Sequence, residues 1–326
     1  MFRLDRYHKG VLLGCTIFLS ALTFSLVQPT RSTPLTPVVW TVTTLDDPGA
    51  PTCAVTCSLR TAVNMAAPDD TIVFDASIFS APLTITLQGQ IEISKALTID
   101  GVAGGGITPT LSGNHLTRTF QVDAGASVTL NALNLVDGYC SLCDGGGIYN
   151  RGTLSITNSN LNHNATSDGT PDPCSIPFQC HCFYTNDHSI SSLTQNILNG
   201  KGARNDRLPE GPGDHGAGSG GGIFNDGTLF IANSTLADNV TGKGVLYDGQ
   251  LVAYDGGDGG GIFNRGALFL VGSSLSRNVT GGGGDRFRHM GGKGGYGGGI
   301  YNAGTVSITS STLSGNATGP GGAGGW

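Results

Sequence analysis

The sequence predicts an all-β chain wound as a right-handed parallel β-helix, and three observations carry that prediction. First, a 22-residue unit is written four times: "GGGIYNRGTLSITNSNLNHNAT" from 145, "GGGIFNDGTLFIANSTLADNVT" from 220, "GGGIFNRGALFLVGSSLSRNVT" from 259 and "GGGIYNAGTVSITSSTLSGNAT" from 297. Self-similarity at such a period marks a stacked architecture in which no unit buries its own apolar face. Second, apolar residues inside a unit alternate, as in Thr153-Leu154-Ser155-Ile156-Thr157, so the local structure is strand. Third, Asn-Arg-Gly, Asn-Asp-Gly, Asn-Arg-Gly and Asn-Ala-Gly stand between the strands, where Gly takes left-handed dihedrals freely and Asn tolerates them.

Each unit reads as three short strands joined by tight bends. If one unit completes one circuit, equivalent residues stack about 4.7 to 4.9 Å apart, as neighbouring strands do. Columns of Ile148, Ile223, Ile262 and Ile300 then fill a narrow core, and Asn150, Asn225, Asn264 and Asn302 can hydrogen-bond along the stack.

The copies are unevenly spaced: Ile148 to Ile223 is 75 residues, Ile223 to Ile262 is 39 and Ile262 to Ile300 is 38. Inserts at 167–219, 242–258 and 281–296 make up the difference. All interrupt the unit at one phase, so they share one edge of the cylinder, the place where solenoids usually carry function. The long insert holds Phe178, His181, Phe183 and Tyr184, and the last holds Arg286, Phe287, Arg288 and His289. These aromatic and charged residues are the predicted contact residues. The two shorter inserts are Gly-rich and predict flexible or mutually packed segments, not a second domain.

Residues 71–138 alternate strongly and end strands in Asp-Gly or Ala-Gly turns, so they predict first coils continuous with the repeats, giving one domain over 71–326. Residues 38–70 predict a Cys-containing cap with a short helix from about Leu59 to Ala66. Leu59, Ala62 and Val63 would face the first coil and cover its exposed strands. Residues 1–37 hold a basic start, an apolar run from Val11 to Val27 and a Pro/Thr/Ser linker. They read as a secretory signal or an uncleaved membrane anchor, without a clear small-x-small cleavage site. Cys15 in "LLGC" does not fit a lipid attachment site, because the apolar run continues past it. The chain stops at Trp326 just after the fourth unit, from which the sequence predicts a piece of a longer surface protein or a last coil that pairs with another molecule.

Export would place seven further cysteines in an oxidising compartment: Cys53, Cys57, Cys140, Cys143, Cys174, Cys180 and Cys182. Their number is odd, so the pairing stays open. A metal site built from Cys140, Cys143, Cys180, Cys182 and His181 lacks the spacing of a zinc module. Asp248, Asp255, Asp258 and Asp285 stand among glycines in the loops but miss the Gly-Gly-x-Gly-x-Asp pattern. The sequence thus predicts no cofactor, with loosely bound calcium as the open alternative.

The words Cys57, Ser58, Leu59, Arg60 and Ala62 resemble the N-terminal module of bacterial secreted proteins named for a Cys-Ser-Leu-Arg-Glu-Ala signature, with Thr61 where that family has Glu. The resemblance implies a right-handed parallel β-helix of the pectin-lyase-like class after the module. The four repeats are also similar to those of polymorphic outer-membrane proteins and adhesin-like passengers.

Many such cylinders cut acidic polysaccharides, and that chemistry needs calcium-binding carboxylates with a base, or a close group of acids. Asp100, Asp123 and Asp137 stand at strand ends ahead of a Gly and read as turn residues, as does Asp69-Asp70 at a helix end. Arg151, Asp226, Arg265 and Ala303 form a surface column after the Asn ladder. Strand interiors of the repeats read as Thr, Ser, Asn, Leu or Ile. Five sequons, at Asn164, Asn233, Asn239, Asn278 and Asn316, follow the repeat phase and read as turn chemistry. The net charge of −6 carries no basic cluster beyond the N-terminus, which argues against nucleic acid. The sequence therefore predicts a secreted or cell-surface, non-enzymatic β-helix that meets an extracellular glycan or protein surface in an adhesive or surface-layer role. A polysaccharide lyase or hydrolase of the same fold is the competing reading, since fold does not fix function. Membrane contact would come only through an uncleaved N-terminal segment.

Overall fold

The computed structural model describes residues 36–50, 52–102, 107–169, 216–245, 253–286 and 290–324. The chain divides after Thr36, and every described element lies in the part that begins at Pro37. It is a right-handed parallel β-helix with one short helix. The first sheet stacks Val39–Val42, Asp70–Phe74, Leu97–Asp100, Ser127–Asn131, Thr153–Thr157, Thr228–Ala232, Ala267–Val271 and Thr305–Thr309. The second stacks Ile91–Ile93, Phe120–Val122, Ile148–Asn150, Ile223–Asn225, Ile262–Asn264 and Ile300–Asn302. The third stacks Thr84–Thr86, Thr110–Ser112, Asn134–Val136, Asn160–Asn162, Thr235–Ala237, Ser274–Ser276 and Thr312–Ser314. A fourth sheet pairs only Tyr139–Cys140 with Ala165–Thr166.

The register follows the predicted columns despite the unequal spacings. Ile148 pairs with Ile223, Ile223 with Ile262, and Ile262 with Ile300. The first three are fully buried; Ile300 is half-buried, because no described coil covers the one it belongs to. Val306, Ile308 and Leu313 of that coil are exposed for the same reason. The first coils continue the columns, with Ile148 beside Phe120, Leu154 beside Val128 and Leu161 beside Leu135.

Two asparagine ladders accompany the apolar ones. Asn150, Asn225 and Asn264 are fully buried and joined amide to amide, and Asn164, Asn239 and Asn278 repeat the arrangement at the third bend. Buried amides are thus paired instead of orphaned. The glycines of the Asn-x-Gly turns serve a purpose other than the expected one. At Gly227 and Gly266 a Cβ would lie 2.0 and 1.9 Å from a carbonyl oxygen of the preceding coil, so close approach requires Gly there. Left-handed residues stand instead at the next bend, Asn158, Asn233, Gly272 and Ser310, at the third, His163, Asp238, Arg277 and Gly315, and at the glycines that open each unit, Gly145, Gly220, Gly259 and Gly297.

The β-helix begins earlier than Thr71. Val39–Val42 pairs with Asp70–Phe74 and is itself a rung of the first sheet. Helix Leu59–Met65 lies over this end, capped by Ser58, whose Oγ accepts from Thr61 N at 3.1 Å. Leu59, Ala62 and Val63 are buried as expected, and Thr61 is buried with them, its hydroxyl donating to carbonyls of Pro48 and Ala50. Arg60 grips the buried Asp47 at 2.6 Å and donates to the carbonyls of Gly89 and Gln90, tying helix to first coil. Asp70, read from sequence as a turn residue, is a buried strand residue. Its carboxylate accepts from Val38 N, Trp40 Nε1 and Ala67 N at 2.7 to 2.8 Å.

Candidate binding surface

The cylinder presents two surfaces with contact potential, the insert edge and the outer face of the first sheet. On the edge, Phe178, His181, Phe183, Tyr184, Phe287, Arg288 and His289 lie outside the described residues, as do Cys174, Cys180, Cys182 and Asp248. Arg286 is described and half-buried; its backbone N–H donates to Ala323 at 2.8 Å. Cys53 bonds to Cys57 and Cys140 to Cys143. Cys140 and Cys143 are therefore not thiolate ligands for a metal.

The described parts of the inserts are mutually packed. Gly169 donates to Lys243, Gly244 to Gly282 and Gly283 to Pro320, so these parts continue the coil stack. Others cross between segments, as Tyr254 to Val245 and Gly292 to Gly284. Aspartates fasten this stack from coil to coil. Asp168 accepts from Lys243 N, Asp255 from Lys293 N, Asp258 from Tyr296 N and Asp285 from Ala323 N, at 2.6 to 2.7 Å. Among the described residues, no three His, Cys, Asp or Glu side chains converge to hold a metal.

Several other acids are also engaged. Asp100 accepts from Asn131 Nδ2 at 2.9 Å, and Asp137 lies 3.7 Å from His115. Arg265 meets Asp226 at 3.2 Å, whereas the neighbouring Arg151 meets Asp123 at 2.8 Å. Burial would raise the Asp123 carboxyl, but hydrogen bonds from Gln121 and Arg151 outweigh it and hold the group below the usual range. The hydrogen bond from Arg277 does the same for Asp238.

The first sheet offers a different chemistry. Along Thr153–Thr157, Thr228–Ala232, Ala267–Val271 and Thr305–Thr309 the outward residues are Thr, Ser, Ala, Val and Phe, none charged. One outward column runs Ser155, Phe230, Phe269, Ser307 in register. The two rings stack at 4.7 Å with 11° between their planes, and the residues are 41% and 38% exposed. Val271 beside them is 48% exposed.

No family model, curated protein or solved structure matches the chain.

Phe230 and Phe269 correct the sequence reading that the strand interiors hold only Thr, Ser, Asn, Leu and Ile. The signal was present in the column Ser155, Phe230, Phe269, Ser307, which changes from hydroxyl to aromatic and back. A second aromatic stack also went unread. Tyr149, Phe224, Phe263 and Tyr301 lie ring on ring at 5.3, 4.8 and 4.8 Å on the second sheet. The first three are buried, with Arg118 and Arg265 over Tyr149 and Phe224, so this stack is structural.

Proposed function

We propose that the chain is a secreted or cell-surface β-helix that binds an extracellular partner and performs no chemistry on it. One observation carries the reading: a stacked, exposed aromatic pair on a rigid, uncharged, hydroxyl-bearing face. Aromatic side chains on a fixed scaffold anchor contacts at low entropic cost. The engagement of Asp123, Asp226, Asp255 and Asp258 in bonds between coils and in pairs with arginine supports binding over catalysis. The Cys57-Ser58-Leu59-Arg60 words, the apolar N-terminal segment and two disulfides support export.

The test incubates the purified protein with pectate, alginate, hyaluronan and cell-wall fractions, measuring retention and the appearance of unsaturated or reducing ends in the same samples. Retention without new ends is the expected result. Steady production of such ends would make the protein a lyase or hydrolase, and absence of retention on every material would remove the binding role.

A further inference from the structure

The Phe230–Phe269 pair stands between two serines. Each ring has one face against its partner, while the other looks over Ser155 or Ser307, whose side chains are too small to cover it. Two shallow notches result, one at each end of the pair. Each has an aromatic wall and a floor of hydroxyls, from Thr153, Ser155 and Thr157 on one side, where Thr157 donates its own proton to Asn131 Oδ1 and is left as an acceptor, and from Thr305, Ser307 and Thr309 on the other.

This arrangement has a chemical counterpart. An aromatic face carries negative quadrupole density that attracts weakly polarised C–H groups, and hydroxyls both donate and accept hydrogen bonds. A sugar ring presents C–H groups on its faces and hydroxyls around its rim. The outward positions of the four strands hold no cation to attract a uronic acid or sulfate and no anion to attract a basic peptide. Charge complementarity therefore selects an uncharged ligand. Beyond the first notch the outward column continues along the cylinder axis as Ser155, Thr129 and Thr98, a run of hydroxyls that suits an extended chain of sugars.

We infer that this face is a docking site for a neutral polysaccharide, with sugar rings stacked on the free faces of Phe230 and Phe269. The inference rests on the binding role proposed above and names its ligand class. It differs in kind from the insert edge, whose predicted residues are charged as well as aromatic.

The test is affinity electrophoresis and isothermal titration of the full chain with three soluble neutral polysaccharides, xyloglucan, galactomannan and hydroxyethyl cellulose, and with alginate as the acidic comparison. At least one neutral polysaccharide should retard the protein, and alginate should not. Two double variants separate stacking from mere apolar contact. Phe230→Leu/Phe269→Leu keeps apolar side chains but removes the flat faces, and Phe230→Ser/Phe269→Ser extends the serine column of the adjoining coils. Both should weaken binding about tenfold or more, as loss of aromatic anchors does. Circular dichroism confirms that each variant is folded, and the leucine pair serves if the serine pair is not. A folded leucine variant that binds neutral polysaccharide as tightly as the parent overturns the inference. So does a parent dimer, seen by sedimentation, that either variant dissociates, because the face would then serve a second copy. Retention on cell-wall material that survives both variants leaves the binding role standing and moves the site elsewhere. No retention of the parent on any material overturns both.

Discussion

The side-chain amide of Asn225 donates to Oδ1 of Asn264 at 2.6 Å, and both residues are completely buried. Asn150 stands in the same relation to Asn225 at 2.7 Å, and Asn264 to Asn302 at 2.6 Å. Each amide nitrogen also lies within hydrogen-bond distance of two backbone carbonyls, for Asn225 those of Gly227 and Ala267, so its two N–H groups are shared among three acceptors. The ladder thus joins four coils whose sequence separations differ almost twofold.

Its energetic weight follows from burial. Asn264→Ala would remove the acceptor of Asn225 and the donor to Asn302 together, at a cost of about 2 to 3 kcal/mol. Asn302→Ala, at an exposed position, would cost under about 1 kcal/mol. Urea denaturation midpoints measure the difference, and equal shifts would show that the ladder adds nothing beyond its strands.

Much of the fold was legible because a stacked architecture writes its core as repeated letters. The columns at Ile148 and Asn150 recur letter for letter in each unit, and that recurrence alone carries the register across a 75-residue gap. The contact surface was less legible. Phe230 and Phe269 look like ordinary strand residues in one dimension; only the parallel register brings them together and shows that both point outward. The role of Asp70 was hidden for a similar reason, since its donors Val38 and Trp40 lie 30 or more residues away. Aspartates such as Asp255 resemble calcium ligands in sequence because coil-to-coil hydrogen bonds leave no local trace.

Asp70 gives the N-terminal end a pH dependence. The hydrogen bond from Val38 N lowers its pKa most; burial opposes this, and Trp40, Ala67 and Lys95 add to the lowering. A carboxyl held below its unfolded value stabilises the fold fully above about pH 4 and loses that contribution as pH falls through the folded value. Asp70→Asn should therefore lower the thermal midpoint by a constant amount from neutral pH down to about pH 5, with the gap to the parent closing in stronger acid. Trp40 fluorescence reports the local transition. A gap that widened on acidification would refute the assignment.

The glycine-rich inserts are packed closely enough for a methyl group to matter. At Gly281 a Cβ would lie 1.8 Å from the carbonyl oxygen of Gly242, whereas at Gly321 the nearest atom is 3.7 Å away. Gly281→Ala should destabilise by at least about 2 kcal/mol, in the range of overpacked sites, and Gly321→Ala should be nearly neutral. Thermal denaturation of the two variants decides the matter. Equal and small effects would mean that the inserts are not part of the stack in solution.

The central claim is that unequally spaced units stack in one register, since that register alone sets Phe230 beside Phe269. Cysteine pairs test it directly. Thr157 and Ala232 are direct partners on the outward face, and neighbouring parallel strands lie about 4.8 Å apart, within reach of a disulfide. Thr157→Cys/Ala232→Cys should form a bridge under mild oxidation, identified by mass spectrometry of the peptides. Thr157→Cys/Phe230→Cys, two residues out of register, should stay reduced. A bridge in the second pair but not the first would contradict the register across the longest gap and, with it, the placing of Ser155 beside Phe230.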